Sequence, residues 1–192
     1  MKIAVLGWGS LIWEKRCMPL KNDWQEGGPE LPIEFSRVSD SRGGALTLVI
    51  DPDNGVETPT RFAVSQRRKI ADAICDLRTR EGTVVKRIGY VNLVTGDQRC
   101  SAYSRAGDIV RKWAEEKGFD AVVWTDLPSN FREKTCKEFS IDDAVEYLHG
   151  LKGDSAREAR DYMRNAPQEV QTPVRERLND DPWLAIGCTR RD

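Results

Sequence analysis

The chain has 192 residues, of which 32% are charged, and its formal net charge at pH 7 is -1. This length is enough for one domain with a sizeable core, or for one domain with an appendage. The near-neutral charge gives no reason to expect nucleic acid or an anionic membrane as a partner. No apolar stretch approaches the roughly 20 residues that a membrane-spanning helix needs, and the N-terminus lacks the pattern of a signal peptide. We therefore expect a cytoplasmic protein.

The first part of the chain predicts β-strands around a tight loop. Residues 2–6 are an apolar run that ends at Gly7, a pattern typical of a buried strand. The glycines at positions 7 and 9 predict a loop with backbone angles closed to other residues and with N–H groups open to a ligand. The alternative is a simple turn whose tryptophans fill the core. Further strands are predicted over 31–38, 45–50 and 60–65, the first two as an antiparallel pair.

Helices then enter the pattern. A helix is predicted from 65 or 66 to about 80, followed by strand-like segments over 84–94 and 98–103, a helix over 106–117 and a strand over 121–124. From residue 128 the pattern is helical, with predicted helices over 141–148 and 154–165 and one that begins at 173. The sequence therefore predicts a mixed α+β core over 1–127 and a helical C-terminal extension over 128–192 that packs on it.

Cysteine and histidine offer little for catalysis or metal binding. The five cysteines are widely spaced and include no C-x-x-C pair, which indicates neither a disulfide framework nor a metal site. The one histidine, His149, precedes a glycine at a predicted helix end, where it is typical of capping. A cysteine-dependent enzyme is disfavoured because no cysteine has an activating neighbour in the sequence. We expect no metal and no cofactor.

Arg37 stands out because it shares a face of the predicted strand 31–38 with Ile33 and Phe35. Strand side chains alternate between two faces, so this arginine lies on the more apolar one. Its position indicates either the end of the strand or an anion-binding arginine inside a cleft.

Two short motifs carry a resemblance to a known family. Residues 7–11 (GWGSL) lack the third glycine of a dinucleotide-binding loop and do not form a nucleophile elbow. Together with residues 77–83 (LRTREGT), they resemble the Tyr-Gly-Ser loop and the Glu-Gly segment of the γ-glutamylcyclotransferase-like superfamily. The glutathione-specific cyclotransferases belong to that group, and its order of strands fits the predicted one. Trp8 stands where the family usually has tyrosine.

The resemblance implies a fold, a reaction and a site. The fold is a small mixed, mostly antiparallel barrel-like sheet flanked by helices, with the C-terminal helices as a subgroup extension. In the reaction, the α-amine of a γ-glutamyl compound attacks its own γ-carbonyl, which releases 5-oxoproline and an amine; Glu81 is the acid and base. The amine half stays open between glutathione, γ-glutamyl dipeptides and γ-glutamylated small amines. The substrate-binding residues are Trp8, Gly9, Ser10 and Leu11 of the loop, with Arg37 added from its place on the strand.

The alternative is an inactive member of the same fold. Such a protein would bind a small metabolite, or a partner protein through its C-terminal helices. A concave pocket around Glu81 would favour the enzyme, whereas a pocket blocked by Trp8 or a wide apolar patch on these helices would favour the binder. Nothing in the sequence indicates an oligomeric state.

Overall fold

The structure, a computed structural model, describes residues 1–186 as an α+β fold. Its strands are β1 (Ile3–Gly7), β2 (Glu30–Ser39), β3 (Ala45–Ile50), β4 (Val56–Pro59), β5 (Arg61–Val64), β6 (Ile88–Asn92), β7 (Gln98–Arg99) and β8 (Ala121–Thr125). Its α-helices are α1 (Ile70–Glu81), α2 (Ala106–Lys117), α3 (Phe131–Thr135), α4 (Ile141–Gly150), α5 (Gly153–Asn165), α6 (Pro173–Leu178) and α7 (Pro182–Ala185). Among these residues, no helix is long and apolar enough to cross a lipid bilayer.

The strands form two separate sheets. The larger has the order β5-β1-β8-β6-β7, in which only β1 and β8 are parallel, and the smaller has the antiparallel order β3-β2-β4. The mixed, mostly antiparallel pairing that the resemblance implied is therefore confirmed, but the strands of residues 1–186 form two sheets and not a closed barrel. The chain passes from the smaller to the larger sheet at Thr60, between β4, which pairs with β2, and β5, which pairs with β1. Within residues 1–186, no strand of one sheet pairs with a strand of the other, so the two sheets do not close into a barrel.

Most predicted elements are present, and contacts between distant segments explain where the start of α1 differs from the prediction. The strand pair β2–β3 and helix α2 are confirmed, whereas β4 and α3 were not predicted. Helix α1 begins at Ile70 rather than at 65 or 66. Ser65 and Gln66 are still in extended pairing, because their N–H groups donate to the Ile3 and Pro19 carbonyls at 2.9 and 2.8 Å.

Strand β1 is buried on both faces and separates two hydrophobic clusters. Ile3 and Val5 contribute to a cluster with α1, while Ala4 and Leu6 contribute to a larger cluster that includes the second sheet and the C-terminal helices. Burial on both sides fixes the strand, and the loop after Gly7 therefore leaves the sheet from a rigid support.

The C-terminal helices pack against the smaller sheet, α5 on β3 and α6 on β2. A buried carboxylate joins α6 to this sheet: Glu34 accepts hydrogen bonds from Thr172 Oγ1 at 2.5 Å and from the Val174 N–H at 3.3 Å. Burial raises the pKa of Glu34 to about 7, although these hydrogen bonds and one from the Phe35 N–H oppose the shift. Each of the four cysteines in the described range is a free thiol; Cys188 lies outside that range.

Candidate active site

A cavity of about 660 Å³ opens where β1 ends. This volume falls within the range of about 300–1,000 Å³ that is typical of small-molecule sites. Its walls are the loop 6–11, the segments 37–42 and 47–49 of the smaller sheet, the end of α1 over 79–83, and side chains from α5. Both sheets and helices from both halves of the chain thus contribute to it.

The structure brings every sequence-predicted site residue to this cavity. The residues that line it include Trp8, Gly9, Ser10, Leu11, Arg37 and Glu81. They come from three separate elements: the loop after β1, strand β2 and the last residue of α1. Their roles in binding or catalysis stay predictions, whereas their common location is an observation.

Glu81 is the last residue of α1, and Gly82 ends the helix in the left-handed conformation, at φ 61°. A glycine suits this position because it adopts a positive φ without a steric penalty. The Glu81 side chain is 15% exposed, and its Oε1 lies 2.6 Å from Arg80 Nη1. Its Oε2 accepts no hydrogen bond from the described part of the chain. One carboxylate oxygen is therefore held, and the other is free to meet a ligand.

Arg80 is a site residue that the sequence did not reveal. Its side chain is only 6% exposed. Besides its bond to Glu81, it donates to the Glu14 carbonyl from Nε at 3.2 Å and from Nη2 at 2.8 Å, and both Nη atoms lie 3.3 Å from Ser10 Oγ. The guanidinium therefore ties the loop after β1 to the carboxylate. In the sequence, an arginine in the last turn of a helix looks like ordinary dipole compensation.

The glycines of the loop are required by space and not by backbone angle. Neither Gly7 nor Gly9 has a positive φ, so the expectation of special backbone angles is wrong. A Cβ atom on Gly9 would lie 2.6 Å from Tyr162 Oη, and one on Gly7 would lie 3.0 Å from the Trp24 ring. The first distance is shorter than real contacts to a Cβ atom, and the second is at their limit. A side chain at Gly9 or Gly7 would therefore displace Tyr162 or Trp24.

Trp8 lines the cavity without blocking it. Its side chain is buried in the larger hydrophobic cluster, and its Nε1 donates to the Leu48 carbonyl at 3.3 Å. The next residues of the loop leave polar groups unused, because the N–H groups of Gly9 and Leu11 donate to no acceptor in residues 1–186. Backbone N–H groups that have no internal partner can bind an anion or an oxyanion.

Arginines are the commonest charged residues of the cavity: four of them line it (Arg16, Arg37, Arg42 and Arg80), against the three acidic residues Asp40, Glu81 and Glu158. Arg42 is neutralised by Glu14, which accepts from its two Nη atoms at 3.2 and 2.9 Å, and this hydrogen bonding lowers the pKa of Glu14.

Arg37 has no such partner. Its Nη1 donates to the Pro128 carbonyl at 2.8 Å, and it forms no ion pair within residues 1–186. Burial, followed by the charge of Arg87, lowers the pKa of Arg37. A half-buried guanidinium without a carboxylate is suited to bind an anionic ligand. Arg37 lies in the cleft and two residues before the end of β2, and its role as an anion-binding residue stays a prediction.

Helix α5 brings Glu158 and Tyr162 to the cavity wall. Tyr162 belongs to the buried face of α5, and its ring packs edge-on against Trp13 and Phe35, with centroids 5.2 and 6.2 Å away. Its hydroxyl, however, lies beside the loop and accepts from the Leu48 N–H at 3.3 Å. The periodicity of apolar residues in the sequence predicts which face of the helix carries the ring, but it does not predict the contacts of the hydroxyl.

Comparisons with protein-family models, with curated proteins and with solved structures found no match to this chain. The cavity itself combines a carboxylate with one free oxygen, a loop with unpaired N–H groups and a guanidinium without a counter-ion. Such a set can receive a proton, bind a polarised carbonyl oxygen and bind a carboxylate.

Proposed function

We propose that the protein is a γ-glutamyl cyclotransferase-type lyase with its active site in this cavity. The observation that carries the proposal is the position of Glu81: its free Oε2 belongs to the same cavity as the unpaired N–H groups of Gly9 and Leu11. A proton acceptor and an oxyanion site on one small cavity are what an intramolecular attack on an amide requires.

The reaction is the closure of a five-membered lactam. The α-amine of the γ-glutamyl group forms a bond to the γ-carbonyl carbon, and Glu81 takes the proton that the amine loses. The bond from this carbon to the leaving nitrogen then breaks, and Glu81 returns the proton to that nitrogen. The products are 5-oxoproline and a free amine. Because the nucleophile is part of the substrate, the protein mainly holds the folded-back conformer, and such orientation can lower a barrier by about 7 kcal/mol or more.

Two groups of the cavity suit the remaining polar atoms of the substrate. The N–H groups of Gly9 and Leu11 can stabilise the γ-carbonyl oxygen as it gains negative charge. Arg37 can bind the α-carboxylate, which every γ-glutamyl compound carries. Arg80 holds Glu81 and Ser10 at fixed distances, so the base and the loop keep their relative geometry.

Release of 5-oxoproline from glutathione, γ-glutamyl dipeptides and γ-glutamyl amines tests the proposal. We expect release from at least one class, and a loss in kcat of about 10²–10⁴-fold in Glu81→Gln, the range typical of an acid–base residue. Glu169→Gln is the matched control, because this glutamate also pairs with an arginine, Arg61 Nε at 2.5 Å, but lies outside the cavity lining. It should retain activity.

The outcomes separate the parts of the proposal. Activity that survives in Glu81→Gln would assign the base to another residue. The absence of release from all three classes, in a protein that unfolds cooperatively, would refute the reaction and favour the binding alternative.

A further inference from the structure

The hydroxyl of Tyr162 occupies a position that packing alone does not explain. The Tyr162 ring belongs to the core between α5 and the smaller sheet, but its Oη reaches the loop after β1. The Leu48 N–H donates to this oxygen at 3.3 Å. A phenylalanine would make the same ring contacts with Trp13 and Phe35, so the hydroxyl calls for a separate reason.

The hydroxyl is a hydrogen-bond donor without an acceptor in the described chain. Burial raises the pKa of Tyr162 to about 12, and the negative charge of Glu81 adds to this shift. The Leu48 N–H, the charge of Arg42 and the Ser10 N–H oppose it. The group is therefore protonated at neutral pH. Its oxygen faces two backbone N–H groups, and no residue of the range 1–186 accepts its proton. Because Tyr162 lines the cavity, a ligand there can accept this hydrogen bond in place of water.

The loop accommodates this hydroxyl at close range. Gly9 has no Cβ, and a Cβ there would lie only 2.6 Å from Tyr162 Oη. The phenol thus lies directly beside the loop whose unpaired N–H groups belong to Gly9 and Leu11. Gly9, Leu11 and Tyr162, which carry these three donors, all line the cavity.

We propose that Tyr162 is a further catalytic residue, whose hydroxyl donates a hydrogen bond to the γ-carbonyl oxygen of the substrate. This inference rests on the proposed function. As the α-amine attacks, the γ-carbonyl oxygen becomes an oxyanion, and a neutral donor already fixed at that place stabilises it without reorganisation. No proton is transferred, so Glu81 remains the group that moves the proton. Helix α5, in the C-terminal extension, thereby completes the site.

Tyr162→Phe tests this role in the full chain, with 5-oxoproline release measured on the best substrate of the three classes. Loss of one oxyanion donor typically lowers kcat by about 10²–10³-fold. We expect kcat to fall by about 100-fold while KM changes less than about threefold, because the interaction forms mainly in the transition state. The thermal unfolding transition should remain cooperative.

Tyr147→Phe is the matched control. Tyr147 is a half-buried tyrosine of the neighbouring helix α4 whose hydroxyl donates to the Gly44 carbonyl at 2.8 Å, and it does not line the cavity. It should retain kcat and KM.

Two results would overturn the role of Tyr162 alone: full activity in Tyr162→Phe, or a raised KM with unchanged kcat, as expected if the hydroxyl only anchors the loop. Absence of activity in the unaltered protein would instead overturn the proposed function and, with it, this role.

Discussion

Gly9 and Tyr162 are 153 positions apart in the sequence, and their contact predicts a strong energetic coupling between them. In Gly9→Ala, the new Cβ lies 2.6 Å from Tyr162 Oη, while its next neighbours, Leu48 Cβ and Tyr162 Cζ, are both at 3.8 Å. The first distance is a steric clash, and the other two are ordinary van der Waals contacts. One hydroxyl oxygen thus accounts for the whole conflict.

The magnitude follows from two opposing terms. Overpacking of a well-filled interior costs about 1–3 kcal/mol. Because Gly9 does not have a positive φ, alanine also restricts the unfolded chain and so contributes about 0.4–1 kcal/mol of stability. We expect Gly9→Ala to lower the free energy of unfolding by about 1–2 kcal/mol. In the Tyr162→Phe background the clash is absent, and the same substitution should be neutral or slightly stabilising.

Urea unfolding of the four proteins of this double-mutant cycle measures the coupling energy, which should be about 1–3 kcal/mol. Gly150→Ala serves as the control, since a Cβ there has no neighbour within 4 Å; it should be stabilising and uncoupled from Tyr162→Phe. If Gly9→Ala cost the same in both backgrounds, the Tyr162 hydroxyl would not lie beside Gly9 and would not be positioned to donate into the cavity.

Two further predictions concern charged groups. Arg37→Gln should raise KM for γ-glutamyl substrates about 10–100-fold with little change in kcat, because a charge-assisted hydrogen bond contributes about 1.5–3 kcal/mol to binding. Steady-state kinetics tests this, and an unchanged KM would show that Arg37 does not bind the substrate. Glu34 has a folded-state pKa of about 7 against an ordinary value of 4.5, so the unfolded chain loses its proton first. The contribution of this group to stability therefore falls by about 2–3 kcal/mol between pH 5 and pH 8. Urea unfolding at both pH values should show this fall in the unaltered protein but not in Glu34→Gln. Equal falls in both proteins would show that Glu34 does not cause the pH dependence. A loss of stability that the glutamine causes at both pH values does not affect this comparison.

Local patterns were enough to predict most of the elements but not their assembly into sheets. The strand pair β2–β3 and the helix α2 follow from side-chain periodicity and from the turn residues that bound them. Strand β4, which is only four residues long and adds to the edge of β2, carries too short a pattern to be recognised. The start of α1 was placed too early, because distant partners keep Ser65 and Gln66 extended. Tertiary contacts that a local pattern does not contain decided both cases.

The candidate site divides in the same way. Glu81 and residues 8–11 were predicted because each lies in a short motif, and the structure places them on one cavity. Arg80 and Tyr162 were missed, since the first resembles a helix-ending charge and the second a core residue of a helix stripe. Their contacts, with Ser10 and with Leu48, join segments far apart in the sequence. A role that depends on a contact between distant segments leaves no local signal.

The C-terminal helices bear on the choice between enzyme and binding protein. As an interaction surface, they would need to keep apolar side chains exposed. Instead, the apolar face of α5 is buried against β3. In the described part of this extension, Ile141 and Ile186 are the exposed large hydrophobic residues. The apolar surface of α5 is therefore used inside the molecule, where it fixes the position of Tyr162 at the cavity. A helix that must hold one hydroxyl beside a loop needs such packing, so the burial of α5 agrees with the role proposed for Tyr162.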